Sequence, residues 1–177
     1  SLSRSMRREL RSDGVEMMRH TLLRHGRNHR KMTIIDGKIA HIGGVNIANR
    51  YIVGSHLGQW HDAQLRIEGE GAKHLGHLFD YDSMISDGIN CEVPMLYCSS
   101  DMELVWSEGH GGRAMSELLN RTITSANKSL TFVTPYFMPD RRVIKELRDV
   151  VTRGVEVRVM VPERCDVWIL NNIMRSR

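Results

Sequence analysis

The sequence predicts an α/β fold, a mixed sheet flanked by helices, and three observations lead there. Two isoleucine-rich runs, residues 32–35 and 38–42, are separated by Asp36-Gly37, a dipeptide that favours a tight antiparallel hairpin because both positions tolerate positive φ. SLTFVTPY, starting at Ser129, and VEVRVMV, starting at Val155, are apolar strands joined by a helical stretch long enough for the crossover that parallel pairing needs. Between these units DAQLRIEG, starting at Asp62, alternates as a half-buried strand should, and apolar residues at helical spacing follow it.

Taken in order, an opening helix of about ten residues should stop at Gly14, whose missing Cβ suits a left-handed cap. Val15 to Met18 reads as a short strand and residues 19–28 as a basic loop. The hairpin comes next. Asn46 is expected to start a helical stretch, NIANRYI, and residues 54–61 a loop. In DAQLRIEG the inward positions are Ala63, Leu65 and Ile67, and Leu75, Leu78, Phe79 and Ile85 place a helix over 72–86 on that sheet. Asp87 to Pro94 is a crossing, ELVW from Glu103 a strand, and GHGG at 109–112 a connection. A helix with Met115, Leu118, Leu119, Ile123 and Ala126 on one face precedes SLTFVTPY, a strand apolar enough to be covered on both faces. Pro139 opens the crossover helix, with Val143, Ile144, Leu147 and Val151 on its inner face, and Gly154 closes it. A weak echo links 9–16 with 146–156, where Glu-Leu-Arg is followed by Gly-Val-Glu.

Bulk properties narrow the function. At 177 residues, 41% hydrophobic and 26% charged, the chain can bury a real core. No apolar run reaches 18 residues and no charged-then-apolar leader is present, so neither a membrane span nor a secretion signal is expected in this stretch. Three cysteines, Cys91, Cys98 and Cys165, without a Cys-x-x-Cys pair argue against a disulfide framework and fit a reducing compartment. Net charge is +4, but residues 1–31 hold nine Arg or Lys against three acids, so the positive charge gathers beside His29 and would attract an anionic partner such as phospholipid headgroups or a nucleic acid backbone. The opening SMRREL resembles the middle of a helix, and WILNNIMRSR stops inside an amphipathic pattern, so the chain is expected to be an internal piece of a longer one.

The chemistry gathers in NHRKMTIIDGKIAHIGGVN, residues 28–46. Side chains at i and i+2 of a strand share a face, so His29 and Lys31 should project together, about 7 Å apart, where they can grip one small anion. Thr33 and Ile35 continue that face, whereas Met32 and Ile34 turn to the core. The paired Gly43 and Gly44 end the next strand, where missing side chains would let a ligand approach the backbone. Asn46 follows, with its amide and the N–H groups of a helix start expected to face phosphate oxygens.

His29-x-Lys31, four residues, Asp36, six residues, Gly43-Gly44, one residue and Asn46 resembles the signature of the phospholipase D superfamily, usually called HKD. GGVNIANRY, WHDAQLRIEG, TPYFMPD, RGVEVRVMVP and the region of Asp166 are similar, in that order, to bacterial cardiolipin synthases. The resemblance implies a phospholipase D-like fold of two pseudo-repeated halves, both incomplete here, with residues 1–90 the first half, carrying the HKD motif and lacking its N-terminal part, and 91–177 the start of the second, short of its own motif. It also implies a phosphatidyltransferase that makes cardiolipin from two phosphatidylglycerol molecules through a covalent phosphohistidine, with release of glycerol and no metal or other cofactor. His29, Lys31 and Asp36 would be its catalytic residues, and His29, Lys31, Gly43, Gly44 and Asn46 would bind phosphate. Asp36, at the turn, suits either direct chemistry or ordering of the hairpin. Imidazole fits the task because a pKa of about 6.5 leaves much of it neutral and nucleophilic near neutral pH.

No second His-x-Lys-x4-Asp occurs before Arg177, so half a site is expected, completed by further sequence or by a homodimer. The implied partners are phosphatidylglycerol and an anionic membrane surface, with no nucleic acid, at a bacterial cytoplasmic membrane where this region is cytosol-facing or peripheral and any membrane anchors lie outside it. A dimeric phosphodiesterase or nuclease is the competing enzyme, and a non-catalytic lipid-binding or phosphate-binding module is the competing non-enzyme. Aromatics make up only 6%, a poor stacking platform for nucleic acid. The pairs His20/His25, His56/His61 and His74/His77 match no closed zinc site and read as surface histidines. GHGG lacks the Gly-Lys-Ser/Thr of a phosphate loop, Trp60 with Asp62 is expected to pack beneath the site, and Pro135 and Pro139 mark a strand-to-helix corner.

Overall fold

A computed structural model describes residues 3–18, 28–54, 58–92, 97–99, 101–107 and 113–163. The chain divides into two compact units, Ser1–Gly112 and Arg113–Arg177. Most of the basic loop at 19–28, GHGG, His20, His25, His56, Pro94, Cys165, Asp166 and WILNNIMRSR lie outside the described residues.

In the first unit, helix α1 (Arg4–Ser12) is capped by Ser3, whose hydroxyl accepts from the Met6 N–H. Gly14 follows at φ 88 as the left-handed stop. Val15 to Met18 makes no ladder among the described residues, and Val15 and Met18 stand exposed, so the strand expected there is not formed. Four residues of strand-forming character need a neighbouring backbone to become a strand. The hairpin is as expected: β1 (Met32–Ile35) and β2 (Ile39–Gly43) pair antiparallel, with Asp36 at φ 54 and Gly37 at φ 64 in the turn. A short helix α2 (Asn49–Val53) follows, then β3 (Gln64–Glu68), which pairs antiparallel with β2.

Helix α3 (Glu70–Ser86) covers one face of this three-stranded sheet. The core beneath it joins Ala40 and Ile67 to Ala72, Leu75, Leu78 and Tyr81, with Met32, Ile34 and Ile42 packed at its edge. Three inward expectations fail, the first being Ala63, which is exposed just before β3. Leu65 is 54% exposed because it lies on an edge strand past the reach of α3, and Phe79 is 46% exposed on the flank of that helix. The inner stripe of α3 instead runs through Tyr81 and Asp82. Strands β4 (Tyr97–Cys98) and β5 (Glu103–Leu104) form a small antiparallel pair, and Leu104 and Trp106 enter the same core. Cys91 and Cys98 are free thiols.

The second unit is a strand, helix, strand unit preceded by a helix: α4 (Arg113–Thr124), β6 (Ser129–Val133), α5 (Arg141–Thr152) and β7 (Glu156–Met160). β6 and β7 pair parallel, as the crossover length predicted. The α/β class thus holds, with antiparallel and parallel pairings in separate sheets among the described residues. Ile123, Leu130, Val150 and Val155 form the core. The true inner face of α5 is Val143, Leu147 and Val150; Val151 is 54% exposed, because a spacing of three rather than four keeps the stripe over the sheet. Asp140 caps α5 by accepting from the Val143 N–H at 2.8 Å, which puts Pro139 before the cap rather than inside the helix. Among the described residues β6 is covered on one face only, and Val133 is 74% exposed.

The sequence echo has a local counterpart. Gly14 and Gly154 sit at φ 88 and 87, and the residue after each returns a bond into its helix, Val15 N–H to the Leu10 carbonyl at 2.9 Å and Val155 N–H to the Val150 carbonyl at 3.1 Å. Both are the same left-handed helix stop.

Candidate functional site

The end of the sheet where β1 begins is fixed by an ion pair. Asp82 falls at Leu75 + 7 and Leu78 + 4 on the inner stripe of α3, so its carboxylate is carried into the core, where it is 7% exposed. A buried carboxylate needs a cation. Arg30 supplies it, with Nη1 at 2.7 Å from both carboxylate oxygens, while its Nη2 donates to the Ser107 carbonyl at 2.7 Å. The Asn28 amide donates to the same carboxylate at 2.7 Å, and its Oδ1 accepts from the Arg30 N–H at 3.0 Å. The chain is thereby held just before β1 with Arg30 turned inward, and period-two alternation sends His29 and Lys31 to the other face.

His29 is exposed and Lys31 half-buried. The Lys31 ammonium donates to the His29 backbone carbonyl at 2.6 Å, so the cation stays beside the imidazole-bearing residue. Beyond the register of β1 and β2, the Gly43 N–H reaches the Lys31 carbonyl at 3.4 Å, which brings Lys31 and Gly43 opposite each other. His29, Lys31, Gly43 and Gly44 are therefore together at one end of the sheet. His41, paired with Thr33 on the same open face, is a further titratable group that the sequence reading passed over.

The glycines have a packing reason within the chain itself. A Cβ on Gly43 would lie 2.5 Å from the Ala63 carbonyl oxygen, and one on Gly44 would collide with both carboxylate oxygens of Asp62. The close approach is made by the chain itself. Asp62 in turn accepts from the Ala63 N–H at 2.8 Å, which locks the carboxylate against Gly44.

Asn46 is half-buried but does not begin a helix, since α2 starts at Asn49 with Ala48 as its cap residue. The cause is local: the Asn46 side-chain amide donates to the Tyr51 hydroxyl and the Asn46 backbone carbonyl accepts from the Ala48 N–H at 2.9 Å, a turn that delays the helix. Tyr51 stacks on Trp60 with ring centres 5.0 Å apart, and the Arg50 guanidinium lies over both rings at 5.1 and 5.9 Å. Trp60 packs against Tyr51. Asp36 is left at the opposite end of the hairpin, exposed at positive φ. Five strand positions separate it from Lys31, about 16 Å of backbone.

Elsewhere the hydrogen bond and charge of Lys73 hold the Glu70 carboxyl below its usual range. His74 lies between His77 and Tyr97, with ring centres 5.9 and 4.5 Å away. Among the described residues no group of three or more metal-ligating side chains forms, and no helix is long and apolar enough to cross a membrane.

The family model for the "Cardiolipin synthase, PLD-like domain" matches residues 119–177. Over 94% of its length the chain is 33% identical to the probable cardiolipin synthase YwiE of Bacillus subtilis, covering 37% of that protein. It is 32% identical over 99% of its length to the cardiolipin synthase of Alkalihalophilus pseudofirmus, covering 38% of it. To the minor cardiolipin synthase ClsB of Bacillus subtilis it is 35% identical over 79% of its length, 36% of that protein. The chain therefore spans less than two fifths of the curated relatives it matches. No solved structure matches it.

Proposed function

We propose that this chain, which belongs to the phospholipase D superfamily and is similar along its length to cardiolipin synthases, forms part of a phosphatidyltransferase that joins two phosphatidylglycerol molecules. One observation carries the reading above all: the motif residues His29 and Lys31 share an open end of the sheet, with the Lys31 ammonium 2.6 Å from the His29 carbonyl, while Arg30 between them is tied inward to Asp82. That arrangement offers a nucleophile or proton carrier and a fixed cation to one phosphodiester.

In this reading a motif histidine, His29 or its counterpart in a second motif, attacks phosphorus and the bond from phosphorus to the headgroup glycerol breaks. The other imidazole gives the leaving alkoxide a proton. A hydroxyl of the second phosphatidylglycerol then attacks, its proton passes to that imidazole, the phosphorus–nitrogen bond breaks, and cardiolipin and free histidine result. Lys31 holds the non-bridging oxygens as charge builds on them, a contribution of about 3 kcal/mol for a well-placed donor. Asn46 is close enough in sequence to Gly44 to assist, with Tyr51 orienting its amide. Asp36 serves by ordering the turn. The enzyme works at a bacterial membrane surface.

The sequence carries one such motif, so a second half-site must come from further sequence or, less favoured, a second copy. The test supplies labelled phosphatidylglycerol, and in parallel labelled DNA, to this chain as a strict monomer and to a version continued through a second His-x-Lys-x4-Asp. Cardiolipin and glycerol from the longer version alone are expected. Transfer by the monomer, or cleavage of DNA in place of lipid, would overturn the proposal.

A further inference from the structure

We infer that residues 47–53, directly after Asn46, dock onto an anionic phospholipid bilayer with Ile47, Ile52 and Val53 as the inserted side chains. These three are 104, 80 and 74% exposed, large aliphatic groups gathered within seven residues. Such a cluster is costly in water and marks a contact surface. Its surroundings commit it to a lipid surface. Residues 43–61 contain no Asp or Glu but carry Arg50 and two histidines. The Arg50 guanidinium lies over Tyr51 and Trp60, so a cation and two amphipathic rings belong to the same stretch of chain as the exposed aliphatics. Aliphatic groups below the headgroups, with Tyr, Trp and Arg at headgroup depth, is the pattern by which a protein lies on a bilayer.

Position agrees with composition. Ile47 is four residues from Gly43, a span of at most about 14 Å, and Gly43 bonds the Lys31 carbonyl. A lipid phosphodiester can then reach His29 and Lys31 while its acyl chains stay in the membrane. This inference rests on the phosphatidyltransferase reading, and its test separates the two because binding is measured without catalysis.

The chain is floated with vesicles of phosphatidylglycerol and phosphatidylcholine, as itself and as the triple variant I47S/I52S/V53S; all three sites are exposed, so the fold should survive. The variant is expected to partition roughly 100-fold more weakly, whereas Ile89→Ser, which alters an aliphatic 54% exposed elsewhere, should partition as the parent does. Arg50→Ala should weaken binding to the anionic vesicles and make little difference on phosphatidylcholine alone. Equal partitioning of the parent and triple variant would overturn the inference. So would a lowered melting temperature of the triple variant with unchanged partitioning, the result expected if other polypeptide covers this face. Loss of transfer with binding intact would count against the enzymatic reading alone.

Discussion

Arg30 and Asp82 decide how the candidate site is presented. Their side chains are 23 and 9% exposed, and the carboxylate also receives the Asn28 amide. Replacing Asp82 by Ala strands a guanidinium in the core and should cost about 3–5 kcal/mol in urea unfolding. The double variant Arg30→Met with Asp82→Leu should recover most of that, because the cost lies in the unpaired charge rather than in the absence of the pair. Gly44 gives a second expectation: Gly44→Ala should lose about 1–3 kcal/mol to the collision with Asp62, and Asp62→Ala should relieve most of it. A double-mutant cycle reads that coupling. The histidine and lysine were legible beforehand because their spacing to Asp36, Gly43, Gly44 and Asn46 is fixed along the chain. Asp82 left a readable trace too, a carboxylate among Leu75, Leu78 and Ile85 on an apolar face, but its partner lies 52 residues away and only folding joins them.

The hairpin shows why Asp36 belongs to the turn. Asp and Gly at positive φ make the tight connection, and Asn tolerates the same conformation. Asp36→Asn is therefore expected to keep stability and transfer close to the parent, whereas Gly37→Ala should lose about 1 kcal/mol. A large loss of transfer in a folded Asp36→Asn protein would assign the carboxylate a chemical role. At the start of α3, Lys73 holds the Glu70 carboxyl below its usual range. A depressed carboxyl stabilises the fold above its unfolded pKa and stops doing so as pH falls through the folded one. The stability gap between parent and Glu70→Gln, small at this exposed site, should thus be present at neutral pH and vanish in acid. Elements were legible where pattern and partner coincide, as in β1, β2, α3 and the crossover of α5. Sequence pattern misjudged Leu65, Val133 and Val151 because alternation and helical period name a face without saying how far its cover extends. It misplaced the start of α2 because the bond from Asn46 to Tyr51 is a side-chain event that no propensity records.

Across the chain, the two units carry different parts of the likeness. The family model falls on residues 119–177, within the second unit and the last residues of the chain, whereas the motif lies in the first. The joint between α/β class and chemistry was readable because a hairpin and a crossover helix each have short-range signatures. The compact units part between Gly112 and Arg113, and Leu104 and Trp106 join the first core through contacts distant in sequence. Everything functional turns on whether His29 and Lys31 act together on one phosphate. Cardiolipin formation from phosphatidylglycerol by the longer protein, with His29→Ala and Lys31→Ala compared at matched folding, measures this. A loss of at least about 10³-fold for His29→Ala and about 10²-fold for Lys31→Ala is expected. Full activity in a folded His29→Ala protein would contradict it.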